Sequence, residues 1–131
     1  MIRRCVLLAV VLALTAAPAF AASGPVTAAA IRPTTVYVGA PLPVLRFHVA
    51  RKATVTLALV RCAKVCPTGT TVALVKATYT VGTHALGIGT LLRQSSLKPR
   101  VTKLSPAIYA VVFKQGRTVL GSTDFGVNGK T

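Results

Sequence analysis

One acidic side chain, Asp124, is present in the whole 131-residue chain. Chemistry that needs two carboxylates, such as most glycoside hydrolysis or the aspartic-protease dyad, has no residues to draw on. Carboxylate cages for calcium or magnesium are excluded for the same reason. Tryptophan is absent, and the aromatic set is three Tyr and four Phe. With Phe47, Tyr79, Tyr109 and Phe113 expected in the core, few rings remain to stack on bases, so nucleic acid is the weaker partner class. The sequence contains neither a Gly-rich phosphate loop nor a Gly-x-Ser-x-Gly elbow. A serine triad would have to combine Asp124 with His48 or His84 and one of Ser95, Ser96, Ser105 or Ser122. The two histidines read instead as surface side chains, so no catalytic residue and no cofactor is expected.

Basic and apolar residues are plentiful by contrast. Sixteen Lys and Arg against one acid give a formal net charge of +15, while 53% of the residues are hydrophobic. That apolar fraction is too high for a disordered polycation, so a folded core is expected beneath a basic surface.

The N-terminal residues have the three-part layout of a secretory signal peptide. Met1 to Arg4 is short and positive, Cys5 to Ala17 is apolar and uncharged, and Pro18 precedes the small-residue pattern Ala19-Phe20-Ala21. Cleavage after Ala21 places small residues at the last and third-last positions, making residues 1–21 a signal helix and Ala22 the mature start. Read as an uncleaved anchor, Cys5 to Ala22 supplies eighteen mostly apolar residues, about the minimum for a span, but Pro18 and the alanine pattern oppose that reading. In that case alone would the chain meet a membrane through this segment. Removing 21 of 131 residues leaves 110, the size of one domain, residues 22–131, with a balance of 14 bases minus 1 acid, or +13. The expected location is secreted or otherwise extracytoplasmic.

The mature sequence reads as strands. Val, Thr, Ile, Tyr and Phe fall in short runs with period two, separated by Gly, Pro and basic residues. Val44 to Val49 sets Leu45, Phe47 and Val49 against Arg46 and His48. Ala53 to Arg61 sets Val55, Leu57 and Leu59 against Thr54 and Thr56, with Arg51-Lys52 as the connection. Val72 to Val81 and the weaker Thr83 to Ile88 follow. Thr90 to Lys103 changes character and reads as a basic loop or an irregular edge strand. Ala107 to Lys114 is apolar on both faces, which suggests a central position. Gln115-Gly116 then turns into Arg117 to Val127, where Val119, Phe125 and Val127 share parity. Upstream, Val26 to Ile31 and Thr34 to Val38 flank Pro33 as a split edge strand. The expectation is an all-β, antiparallel sandwich of about seven strands.

Leu104-Ser105-Pro106-Ala107-Ile108-Tyr109, followed by Ala110-Val111-Val112-Phe113 and a hairpin, resembles the Leu-x-Pro-x-x-Tyr corner of immunoglobulin-like and fibronectin type III-like domains. Ala53-Thr54-Val55-Thr56-Leu57 and Asp124-Phe125-Gly126-Val127 are also similar to Ig-like modules of secreted bacterial proteins. The resemblance spans Val44 to Val127. It implies a structural tyrosine corner of Leu104, Pro106 and Tyr109, in which the hydroxyl bonds a nearby backbone group. It implies a structural, adhesion or binding module and carries over no catalytic residue. Antibody-type domains differ, since they hold a core Trp and a disulfide between the sheets.

Cys62 and Cys66 are the two cysteines that survive signal removal, and in an exported chain they are expected to form a local disulfide within Arg61-Cys62-Ala63-Lys64-Val65-Cys66-Pro67. A redox pair would have Lys64 to lower a thiol pKa, but the spacing is three residues and no helix follows. Zinc would need His48 and His84 to converge on both thiolates, so no metal is expected. The remaining lead is the basic run Arg93, Lys98, Arg100 and Lys103, a candidate anion-binding face for an envelope polymer, acidic glycan or lipid. Two functions follow: an Ig-like module with a structural, adhesion or binding role at the cell envelope, or a cationic protein that binds anionic polymers through charge alone.

Overall fold

In Val44–Val49 every second residue is apolar, and the strand it forms, β3, buries Leu45, Phe47 and Val49 while Arg46 and His48 stay exposed. The same alternation shapes the other strands of a computed structural model that describes residues 20–129. These are β1 (Val26–Arg32), β2 (Thr35–Tyr37), β4 (Ala53–Cys62), β5 (Gly69–Tyr79), β6 (Gly82–Gly87), β7 (Ala107–Gln115) and β8 (Thr118–Asn128). One short helix, α1 (Ile88–Arg93), interrupts them. Residues 1–19 of the segment read as a signal peptide lie outside the described residues.

The strands form two sheets, one of order β1-β3-β6 and the other β2-β8-β7-β4-β5. Their inner faces share one core. Leu45 and Phe47 from the small sheet meet Leu57, Leu59, Val111 and Phe113 from the large one, and the Phe47 and Phe113 rings contact edge to face at 5.3 Å. Each such fully buried side chain contributes about 1.5–3 kcal/mol of hydrophobic stabilisation. The result is an all-β, sandwich-like fold with β7 in the middle of the large sheet, as its two apolar faces require.

The pairing is antiparallel with one exception. Segment Thr34 to Val38 does not extend the edge to which Val26 to Ile31 belongs. The chain changes sheets at Pro33-Thr34, and β2 runs parallel to β8, with Val36 opposite Val127. The large sheet is therefore mixed. Pro33 explains the break, since it has no N–H to continue a ladder.

Two other expectations change. Phe125 and Val127 are buried, but Val119 is 45% exposed, because the ladder shifts register between Phe113 and Lys114 and reverses parity beyond it. A bulge of this kind re-aims every later side chain. The stretch from Thr90 begins neither as loop nor as strand: residues 88–93 are helical, with Ile88, Leu91 and Leu92 buried at helical spacing. The β7–β8 hairpin turns at Gly116 and Arg117, and Gly116 has φ 62°, which glycine adopts without steric cost.

Candidate basic groove

The basic run is held in place by a buried serine. Ser95 has no exposed surface, and its hydroxyl accepts hydrogen bonds from the Leu74 N–H at 3.0 Å and the Leu97 N–H at 3.1 Å. Ser96 N–H donates to the Leu74 carbonyl at 2.8 Å. The chain after α1 is thus fastened to edge strand β5, and the Ser95 to Leu97 bond closes a tight serine turn. The Ser-Ser pair within a polar stretch was the only sequence signal for this device, and an edge-strand partner 21 residues upstream cannot be read from it.

Two guanidinium groups are oriented by this anchor and by α1. Arg100 donates from Nε to the Ser95 carbonyl at 3.0 Å, and Arg93 donates from its guanidinium to Thr90 Oγ1 at 2.9 Å. Both side chains line one cavity of about 600 Å³, together with Leu42, Leu92 and Val101. A second hollow of about 350 Å³ adjoins it through Leu42 and Thr102, and Lys103 and Leu104 form part of its wall. Of the four basic residues singled out in the sequence, the fold brings Arg93 and Arg100 to one cavity and Lys103 to the next. Lys98 is exposed and lines neither. The chemistry is a pair of fixed donors above an apolar floor, suited to a carboxylate, phosphate or sulfate group.

The far side of the groove rests on the corner before β7. Tyr109 is buried, and its hydroxyl donates to the Ser105 carbonyl at 2.8 Å. Its ring stacks on Phe125 at 5.6 Å, and Leu104 is buried beside it. That bond pins the turn from which Lys103 projects.

Cys62 and Cys66 are disulfide-bonded with Cα atoms 5.0 Å apart, at the β4–β5 connection. The loop they close is reinforced by hydrogen bonds from Ala63 N–H to the Thr68 carbonyl and from Thr68 N–H to the Val65 carbonyl, both at 2.9 Å. Arg61, Lys64 and Asp124 line a hollow of about 540 Å³ next to it. Burial raises the Asp124 carboxyl above its ordinary value.

The histidines stand in the small sheet, away from Asp124. His48 is exposed and lies 3.4 Å from Thr83 Oγ1. His84 is half-buried rather than on the surface: its Nε2 donates to the Thr80 carbonyl at 2.7 Å, and its ring stacks on Phe47 at 5.5 Å. Register accounts for the difference, since His84 opposes the inward-facing Phe47 whereas His48 opposes Thr83. Among the described residues no three His, Cys, Asp or Glu side chains come together as a metal-binding group. No helix among them is long and apolar enough to cross a membrane. No protein-family model matches the sequence, and no curated protein is found to be similar to it.

Proposed function

We propose that the chain is an exported, non-catalytic module of the immunoglobulin-like or fibronectin type III-like kind that binds an anionic partner at the cell envelope. The observation that carries the binding role is the groove in which Arg93 and Arg100, each tethered by a hydrogen bond, share one cavity over Leu42, Leu92 and Val101. Tethered guanidiniums lose less rotamer freedom on binding than free ones, and a partly apolar wall strengthens their pull on an anion. The Ig-like assignment is supported by the β1-β3-β6 and β2-β8-β7-β4-β5 strand orders and by the Tyr109 to Ser105 bond at the entry to β7. The disulfide is compatible with an oxidising compartment.

A second reading rests on composition. With 14 mature bases and one acid, the surface could hold anionic polymers with no defined site. Evenly spread, the charges stand roughly 16 Å apart, about twice the Debye length at physiological salt, so they act on a polymer largely one at a time. Titrating salt against binding to a polysulfated chain such as heparin, and to a short sulfated oligosaccharide, tests the groove reading. A local site retains the oligosaccharide with a shallow salt slope. Binding of the long chain only, with a steep slope, contradicts it.

A further inference from the structure

Phe20, the second-last residue before the expected cut after Ala21, is built into the fold. Its ring contacts Phe113 edge to face at 5.2 Å and packs on the shared core. The place it occupies exists because residue 121 is glycine: a Cβ there would stand 2.7 Å from Phe20 Cδ1, closer than real carbon atoms approach. Ala21 is tied in as well, since Gly24 N–H donates to its carbonyl at 3.1 Å. The next residues continue the attachment, with Arg51 donating to the Ser23 carbonyl and Ala50 N–H to the Pro25 carbonyl, both at 2.7 Å. A cut after Ala21 would remove the ring and the carbonyl, leaving the Gly121 notch empty above Phe113.

The sequence holds a second set of small residues that fits the same cleavage pattern. Ala17-Pro18-Ala19 has alanine at the last and third-last positions, as does Ala19-Phe20-Ala21. Residue type alone does not separate the two cuts, whereas the packing does. We infer that the leader is removed by hydrolysis of the Ala19–Phe20 peptide bond, so that Phe20 is the first residue of the mature protein and a structural part of its core. Water adds across that bond, giving the Ala19 carboxylate on the leader and a free amine on Phe20. This inference rests on the reading of the chain as exported.

The full 131-residue chain, produced in a secreting bacterial host and recovered from outside the cytoplasm, is tested by N-terminal sequencing and intact mass. The expected sequence is Phe20-Ala21-Ala22-Ser23. A start at Ala22 overturns the cut while leaving export intact, and an uncut chain retained in the cytoplasm overturns both. A thermal cycle on the mature products tests the packing separately. Phe20→Ala is expected to lower the melting temperature by about 10 °C. Gly121→Ala should cost clearly less in the Phe20→Ala background than in the parent, because the two sites share one space. Equal costs in both backgrounds would overturn the structural role of Phe20.

Discussion

Ser122 carries a buried hydroxyl with no hydrogen-bond partner. Leaving such a group unmet costs about 1–3 kcal/mol, so Ser122→Ala is expected to stabilise the protein by about 1 kcal/mol. The check is a higher denaturant midpoint with an unchanged slope. Asp124 makes a related prediction with a definite sign. Its carboxyl is raised by burial, so the folded protein favours the protonated form more than the unfolded chain does. Its contribution is therefore most favourable in acid and declines as pH rises from the ordinary carboxylate value through the raised one. Asp124→Asn should match the parent at acid pH and exceed it in melting temperature toward neutrality. A gap that widens as pH falls would contradict the assignment.

At the scale of elements, the groove depends on a loop fastened to β5 through Ser95 and Ser96, of which Ser95 is the buried member. Ser95→Ala removes the acceptor for the Leu74 and Leu97 N–H groups. It is expected to cost about 1–3 kcal/mol and to weaken anion binding by freeing Arg100, measured by denaturation and by heparin retention. Lost stability with unchanged retention would show that the loop does not position the site. The strands β3, β4 and β7 are legible in the sequence because period-two alternation is local, and Leu45, Phe47 and Phe113 follow it directly. Helix α1, with six residues, is too short for a helical period to stand out. The parallel pairing of β2 with β8 and the Phe113/Lys114 register shift are long-range features, set by what each strand meets. The candidate site is legible to the same degree: Arg93, Arg100 and Lys103 follow from composition, but that Lys98 lines neither cavity emerges only in the folded chain. Leu42, from the connection between β2 and β3, joins the site only through folding.

Across the whole molecule, the imbalance of bases over acid has two consequences that compete. Diffuse charge attracts any polyanion in proportion to the number of cations it can reach, and salt weakens that attraction uniformly. A groove with two tethered arginines on an apolar floor discriminates by position, because both donors are held by hydrogen bonds at the wall of one cavity. The sandwich-like core makes the second possible by holding α1 and the chain beyond it against β5. A pair of variants with equal charge loss separates the two most directly. Arg93→Gln with Arg100→Gln removes the groove cations, and Lys52→Ser with Lys76→Ser removes two exposed cations elsewhere. The measurement is the dissociation constant for a short sulfated oligosaccharide at physiological salt. Tenfold or greater weakening for the arginine pair, with less than about twofold for the lysine pair, is the predicted result, since each tethered charge-assisted contact is worth about 1.5–3 kcal/mol. Equal weakening by the two pairs would contradict a localised site and leave charge alone as the basis of binding.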